Sequence, residues 1–184
     1  MGGMLMHGEQ WRGEDPTGWL ISEKLNGVRA FWDGYILHSR NGDVISIAQE
    51  VSQLFPQGVC LDGELWIGDG FGQLCSILRQ TTPQIMERSE LWKKVRYCVF
   101  DAPMHPGNYV ERHAFASNSF IPGNNICMIP FVQCLGHSHL QASLKDISHK
   151  KGEGLMLYHP TAKYTHGRTN HLLKVKAYSE EDVK

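Results

Sequence analysis

The sequence predicts an α+β fold built mainly from antiparallel strands. Two hairpin signals lie close together, because Asp33-Gly34 separates two strand-like segments and Asn41-Gly42 precedes Val44-Ile45. Asp-Gly and Asn-Gly pairs tolerate the positive φ that tight hairpin turns require. Further along the chain, strand-like and helical stretches alternate irregularly. This arrangement argues against a parallel sheet of repeated strand–helix–strand units.

The predicted helices follow from apolar periodicity and end signals. Ser46, with Gln49 three residues later, predicts a capping box at the start of a helix that Pro56 ends. The spacing of apolar residues predicts three more helices. They cover Phe71–Arg79, Pro83–Lys94 and a segment marked by Leu140, Leu144 and Ile147 that stops before Gly152.

The strands are predicted where apolar or alternating residues form short runs. Order begins near Trp19, and residues 1–17 are expected to form a loose N-terminal segment. The four prolines between residues 101 and 130 predict long loops around short elements. The expected strands after the two hairpins are Val59–Ile67, Val95–Phe100, Gly154–Tyr158 and Leu172–Lys176.

Composition excludes several classes of protein. The chain has 184 residues, a net charge of −1 and 41% hydrophobic residues, which is typical of one ordinary domain rather than a disordered or membrane-spanning chain. Its five cysteines are scattered and never spaced as CxxC, which argues against a disulfide framework or a zinc site. We therefore expect an intracellular, reducing compartment. Residues 143–176 carry seven Lys/Arg against two acidic residues, which leaves a basic face open.

The segment with the most chemical information is 22–29. Lys24 stands just before the turn-forming pair Asn26-Gly27, and Arg29 follows five residues after the lysine. A lysine amine can attack phosphorus only when it is neutral, which neighbouring cations and burial promote. The alternative is an ordinary surface lysine and arginine that flank a β-turn.

Other candidate residues lie on predicted strands. Strand alternation places Asp62 and Glu64 on one face, where Glu64 suits a ribose hydroxyl or a metal ion. Phe100 either belongs to the core or presents its ring to a flat base. Lys174 and Lys176 share one face of a strand, which indicates either an anion opposite them or a solvated edge strand.

The order of these motifs is more specific than any one of them. Lys-x-x-Gly-x-Arg, Asp-Gly-Glu-Leu, Val-Phe-Asp, Glu-Gly-Leu-Met-Leu and Leu-Leu-Lys-Val-Lys follow one another between Trp19 and Lys176. In this order they resemble the nucleotidyltransferase domain of ATP-dependent DNA ligases, most closely the minimal ligases of bacteria and viruses. The resemblance implies the covalent nucleotidyltransferase (ATP-grasp-like) fold of antiparallel sheets flanked by helices, over residues 18–177.

The resemblance also implies an activity and a set of roles. Such enzymes form lysyl-AMP from ATP, pass AMP to the 5′-phosphate of a nick in duplex DNA and seal the nick. Lys24 is then the nucleophile, and a divalent ion, Mg²⁺ or Mn²⁺, is held by Glu153 with Glu64. The residues implied to bind the nucleotide are Ser22, Glu23, Lys24, Arg29, Arg40, Glu64, Phe100, Lys174 and Lys176. Within that set, Glu64 binds the ribose, Phe100 stacks on adenine, and the last two lysines neutralise the α-phosphate.

The chain departs from the family pattern in two respects. Asn26 stands where the family has Asp, which indicates reduced activity, a functional Asn, or partial restoration of Asp by deamidation. No OB-fold domain follows the last motif, so residues 178–184 are expected to start a linker to a missing domain. We expect an expressed fragment, with a truncated paralogue as the alternative.

Three other functions stay open. RNA ligases and mRNA-capping guanylyltransferases share lysyl-nucleotide chemistry, whereas a non-catalytic nucleotide-binding scaffold belongs to another class. Asn26 and the absent OB-fold domain favour the scaffold, and the otherwise intact motif set opposes it. We expect a monomer that acts on nicked DNA without any membrane association, and the histidine spacings predict no zinc site.

Overall fold

A computed structural model describes residues 5–79 and 90–177 of the chain. Helices in these residues are α1 Gln49–Ser52, α2 Phe71–Arg79, α3 Tyr109–Asn118 and α4 His137–His149, with a further helical stretch at 90–92. Strands in the same residues are β1 Met6–Gln10, β2 Leu20–Lys24, β3 Val28–Trp32, β4 Leu37–Ser39, β5 Val44–Ile45, β6 Leu61–Trp66, β7 Arg96–Asp101, β8 Ile126–Met128, β9 Phe131–Gln133, β10 Gly154–Tyr158 and β11 Gly167–Lys176.

The chain divides into two compact units, each built around one sheet. Of the described residues, 26–79, 90–106 and 111–128 form the first unit, and 5–25, 107–110 and 129–177 form the second. The first holds the six-stranded sheet β5-β4-β3-β6-β7-β8, and the second holds the five-stranded sheet β1-β11-β10-β2-β9. Strands pair mostly antiparallel, with parallel pairs β1–β11 and β7–β8, so the predicted α+β class is confirmed.

The second unit has its main core between the five-stranded sheet and α4. Leu140, Leu144 and Ile147 lie on one helical stripe and pack on the sheet, as their spacing predicts. Alternate residues of β2, β10 and β11 face this helix, and they are Ile21, Leu155, Leu157, Leu173 and Val175. The other alternating set of residues therefore points to the opposite face of the sheet.

The first unit buries one face of the six-stranded sheet in the same way. Its core contains Val51 from α1 and Leu74 and Ile77 from α2. The strand residues that contact this core include Ala30, Trp32, Leu61, Leu65, Tyr97 and Val99. Because side chains alternate, the residues between them, including Arg29, Glu64 and Cys98, lie on the other face.

Both predicted hairpins are present. Strands β3 and β4 pair with Trp32 opposite Leu37, and Gly34 in their connection has φ 104°. The Asp33 carboxylate accepts hydrogen bonds from the backbone N–H groups of Tyr35 and Ile36 at 2.8 and 2.7 Å. Strands β4 and β5 pair across the second turn, where Gly42 has φ 92°. The positive φ values explain why glycine stands at both turns.

The helix predictions are confirmed for α2 and α4 and wrong at the start of α1. The N-cap of α1 is Ala48, without a side-chain cap hydrogen bond, so Ser46 is not the N-cap that the predicted capping box requires. Ala48 still has extended backbone (φ −62°, ψ 139°), which delays the helix to Gln49. Of the predicted helix Pro83–Lys94, residues 83–89 lie outside the described residues.

Strand β1 lies in the segment that was expected to be loose, so that prediction was wrong. It pairs in parallel with β11, and Met6 is almost fully buried. A Cβ on Gly8 would lie 2.7 Å from the Leu172 carbonyl oxygen, so the glycine allows the two strands to approach closely. The local sequence, rich in Gly and Met, did not predict this strand, because the strand depends on pairing with β11 more than 150 residues away.

Helix α3 lies in the stretch that was expected to form long loops around short elements, and no helix was predicted at this place. Buried Tyr109, Arg112 and Ala116 tie this helix to the protein, so tertiary packing outweighs the loop signal of the prolines. The predicted linker at 178–184 lies outside the described residues. Among the described helices, none is long and apolar enough to cross a membrane.

A buried ion pair anchors α3 within the first unit. Arg112 Nε donates to Asp101 Oδ1 at 2.7 Å, and the two side chains are 0% and 1% exposed. Burial raises the pKa of the Asp101 carboxyl above its ordinary value, and the Arg112 guanidinium opposes that shift. Removal of either partner would leave an uncompensated buried charge.

Arg112→Ala is therefore expected to lower the free energy of unfolding by about 3–5 kcal/mol in denaturant titrations. Because the remaining Asp101 carboxyl favours its protonated form when buried, the loss should be smaller at acidic than at neutral pH. Exposed Arg168 supplies the control, and Arg168→Ala should change stability by less than about 0.5 kcal/mol. Equal losses in the two variants would contradict the structural role of the buried pair.

Candidate active site

In the second unit, Lys24 ends strand β2 within a row of paired residues. Strand register places Lys24 opposite Gly154, and Gly154 opposite Lys176 on the next strand. The adjacent row on the same face is Ser22, Met156 and Lys174. We call Ser22, Lys24, Lys174 and Lys176 the lysine face. It lies opposite the sheet face that packs on α4.

Gly154 occupies the centre of the first row for a steric reason. It has φ 152°, and a Cβ there would collide with the backbone carbonyl oxygen of Val175. Any larger residue would displace β11 from β10. The glycine also leaves no side chain between Lys24 and Lys176. The motif glycine after Glu153 is thus required by the packing of the strands that carry the lysines.

Glu153 is the residue that contacts Lys24 directly. The Lys24 Nζ donates to Glu153 Oε2 at 3.0 Å, with the two side chains 35% and 42% exposed. An ion pair this exposed contributes little to stability, so its position beside the lysine face is the more informative property. Of the other predicted residues on β2, Ser22 is buried on the lysine face, whereas Glu23 alternates to the opposite side and is exposed.

In the first unit, Arg29 is held by two neighbours. Its guanidinium donates from Nε to Asp62 Oδ1 at 3.1 Å and from Nη2 to Asp62 Oδ2 at 2.6 Å. The same guanidinium lies 5.3 Å from the centroid of the Phe100 ring. Asp62 is fully buried and Phe100 is half-buried. A bidentate carboxylate and an aromatic ring therefore fix the orientation of Arg29.

Glu64 lies beside this group in the sheet. Register places it opposite Arg29 on β3 and opposite Cys98 on β7, and it is half-buried. Glu64 and Asp62 share one face of β6, as the alternation in the sequence predicts. We call Arg29, Asp62, Glu64 and Phe100 the arginine face.

The position of Gly27, three residues after Lys24, leaves no room for a side chain. A Cβ at this position would collide with the Leu65 carbonyl oxygen of β6. Asn26 precedes it and is exposed in the connection between β2 and β3. Arg40 is also exposed, on the turn that follows β4. The strand register therefore gathers the predicted site residues onto the two faces, except Arg40, Glu23 and Glu153, and Glu153 lies beside the lysine face.

Two supporting contacts were not predicted from the sequence. Asp62 was placed correctly on the face of Glu64, but its pairing with Arg29 was not anticipated. The pairing of Asp101 with Arg112 was missed as well. Asp62 stands two residues before Glu64, which places both on one face of the strand, and this spacing was a signal for the first pair. The second pair joins Asp101 on β7 to Arg112 on α3, and no residue spacing in the sequence indicates that contact.

The two carboxylates expected to bind a divalent metal ion differ in burial, because Glu153 is exposed and Glu64 is half-buried. Within residues 5–79 and 90–177, no cluster of three or more His, Cys, Asp or Glu side chains is placed to hold a metal ion. Magnesium commonly binds through one or two carboxylates together with substrate phosphates and water. The exposed Glu153 carboxylate beside Lys24 fits an ion bound in that manner.

Comparisons with known proteins identify the family of this chain and support its fold. The family model of the ATP-dependent DNA ligase domain matches residues 9–176. A DNA ligase of Haemophilus influenzae (strain ATCC 51907 / DSM 11121 / KW20 / Rd) is 30% identical over an aligned length of 182 residues, and the match covers 97% of this chain and 65% of that relative. The chain therefore spans about two-thirds of the length of this curated relative.

Solved structures show the same fold. A structure from a study of Lig E DNA ligases has a TM-score of 0.83 and 28% identity, covering 96% of this chain and 69% of that one. The Chlorella virus DNA ligase–adenylate has a TM-score of 0.77 at 20% identity, with coverages of 96% and 69%. The match of the family model over nearly the whole chain decides the assignment. This chain belongs to the family of ATP-dependent DNA ligase domains.

Proposed function

We propose that this chain is the adenylation domain of an ATP-dependent DNA ligase, with Lys24 as its nucleophile. Lys24 Nζ attacks the α-phosphorus of ATP, the bond to the β-phosphate breaks, and pyrophosphate leaves. AMP then passes from Lys24 to the 5′-phosphate of a nick in duplex DNA, and the 3′-hydroxyl displaces it. The observation that carries the proposal is the lysine face, with Glu153 3.0 Å from the Lys24 amine.

The amine must lose a proton before or during its attack. Glu153 Oε2 is within hydrogen-bond distance of Lys24 Nζ and is therefore placed to accept that proton. Lys24 is the last residue of β2, so the strand fixes its backbone while the amine stays accessible. A nucleophile on a rigid strand loses little conformational freedom when the substrate binds.

Lys174 and Lys176 support the same step through charge. Strand β11 carries both on the lysine face, where they can neutralise the α-phosphate as negative charge moves to the leaving pyrophosphate. Transfer of a phosphoryl-type group depends mostly on position and electrostatic stabilisation, which fixed cations supply. This role accounts for Lys174, which lies where β11 is paired with both β1 and β10 and where a lysine that guards a sheet edge would not be expected.

The arginine face is proposed to bind the rest of the nucleotide. Glu64 offers a carboxylate to the ribose hydroxyls, and Phe100 offers an aromatic ring to adenine. Arg29, oriented by Asp62, binds the ribose or the end of the nick. Ser22 and Glu23 contribute near the adenine edge, partly through their backbone, and Arg40 contacts the nucleotide or the 5′-phosphate.

A divalent ion, Mg²⁺ or Mn²⁺, is part of the proposal. Glu153 would hold it, with Glu64 as the second proposed ligand, and the ion would offset the negative charge of the phosphates. Nicked duplex DNA as substrate and an OB-fold domain as partner belong to the proposal too. The DNA ligases of Haemophilus and of the Lig E structure support this choice over RNA ligase and capping guanylyltransferase.

Lys24→Ala should abolish a covalent nucleotide adduct. Intact-protein mass spectrometry after incubation with Mg²⁺ and ATP is expected to show an AMP-sized increment on the unchanged protein and none on the variant. The matched control is Lys150→Ala, because Lys150 also pairs with a carboxylate, Asp146, at 3.1 Å on an exposed surface. An adduct that persists in Lys24→Ala, or one formed with GTP but not ATP, would refute the proposal.

Asn26→Asp should preserve or raise the rate of adenylation, because it restores the family residue in an exposed turn without altering its shape. Asn41→Asp is the control, since Asn41 also precedes a glycine in an exposed turn. Adduct formation over time measures both rates. A clear loss in Asn26→Asp alone would mean that Asn26 is required, and no adduct in either form would favour a nucleotide-binding scaffold.

Phe100→Ala should weaken ATP binding by about 5- to 150-fold, since stacking of a base on an aromatic ring contributes roughly 1–3 kcal/mol. The midpoint of thermal unfolding of this variant should fall by less than it would after a Phe→Ala change in a hydrophobic core, because Phe100 is only half-buried. Phe71→Ala, on an exposed ring of α2, is the control for both measurements. A large loss of stability with unchanged ATP binding would assign Phe100 to the core.

A further inference from the structure

Two of the five cysteines are direct neighbours in the six-stranded sheet. Cys98 on β7 is the register partner of Cys127 on β8, and their Sγ atoms lie 3.8 Å apart. The two residues are 29 positions apart in sequence and share no motif. Folding alone therefore brings them together, which a sequence without a CxxC pattern does not indicate.

The backbone positions of this pair suit a disulfide. Neighbouring strands lie about 4.7–4.9 Å apart, and disulfide-bonded residues have Cα atoms roughly 4.4–6.8 Å apart. Register partners direct their side chains to the same face of a sheet. The sulfur atoms must approach from 3.8 Å to about 2.05 Å, which rotation of the side chains can supply.

The two thiols differ in access and acidity. Cys98 is 2% exposed on a strand with neighbours on both sides, whereas Cys127 is half-buried on edge strand β8. A hydrogen bond with the Cys98 thiol lowers the pKa of Cys127 to about 7, and the charge of Arg96 adds to this against the opposing effect of burial. Cys127 is thus the thiol that reacts more readily with an oxidant from solution.

We propose that Cys98 and Cys127 form a redox modification site that a low-molecular-weight disulfide, such as oxidised glutathione, converts into an intramolecular disulfide. The Cys127 thiolate attacks one sulfur of the oxidant, forming a mixed disulfide and releasing one thiolate. Cys98 then loses its proton and attacks the Cys127 sulfur, releasing the second thiolate. Two protein thiols are oxidised and one small disulfide is reduced to two thiols.

Cys98 and Cys127 lie on the same side of the six-stranded sheet as the arginine face. Cys98 is the register partner of Glu64, which is the partner of Arg29, so one row runs from Arg29 through Glu64 and Cys98 to Cys127. The modification would thus occur one strand from Glu64. The inference rests on the paired cysteines themselves and does not require the proposed ligase activity.

The test is thiol mapping of the full chain after treatment with excess oxidised glutathione. Reduced protein is oxidised, its remaining thiols are alkylated, and peptides are identified by mass spectrometry. The expected result is a peptide linking Cys98 to Cys127, with a mass lower by about 2 Da and reversal by dithiothreitol. The midpoint of thermal unfolding should rise by about 5–10 °C in the oxidised form, because the bond closes a long loop.

Cysteine variants provide the controls. Cys127→Ala should give no link and no thermal shift, whereas Cys75→Ala, which changes a half-buried cysteine on α2, should still form the link. Three outcomes in the unchanged protein would overturn the proposal: both thiols alkylated, a link to another cysteine, or a glutathione adduct that persists on Cys127. Because mapping of the unchanged chain decides among these outcomes, the result does not depend on whether a variant folds.

Discussion

The pairing register of β2, β10 and β11 is the constraint on which the rest of the second unit depends. A slip of one residue in any of these strands would exchange its two faces. Lysines would then point at α4 and apolar residues would point at solvent. Burial of Leu155, Leu173 and Val175 against the helix therefore also determines where Lys24, Lys174 and Lys176 point. The hydrophobic core and the chemistry are specified by the same alternation.

The first unit applies the same rule to a different set of residues. Its apolar face is covered by α1 and α2, and its other face carries Arg29, Glu64 and Cys98 in register. Buried Asp62 offsets the charge of Arg29 and limits its rotation. Buried Asp101 does the same for Arg112 and secures α3. Each ion pair joins residues from two separate elements, so local folding of one element alone cannot form it.

Much of the architecture could be predicted because it depends on local rules. Asp-Gly and Asn-Gly turns, the stripe of α4 and the alternation of β6 act over a few residues. The errors occurred where distant contacts outweigh local signals. Strand β1 exists because β11 pairs with it, and α3 exists because Tyr109, Arg112 and Ala116 are buried. Residues 1–17 and 101–130 carry composition typical of loops, so no short window could reveal either element.

The sequence by itself determined the fold class, the family and the candidate residues, because the motifs keep their order and strand alternation assigns each residue to a face. Only the tertiary structure decided which of these residues meet. It placed Glu153 beside Lys24, Asp62 on Arg29 and Cys127 beside Cys98. These contacts join segments 29 to 129 positions apart, and strand register over such distances is set by the packing of the whole sheet.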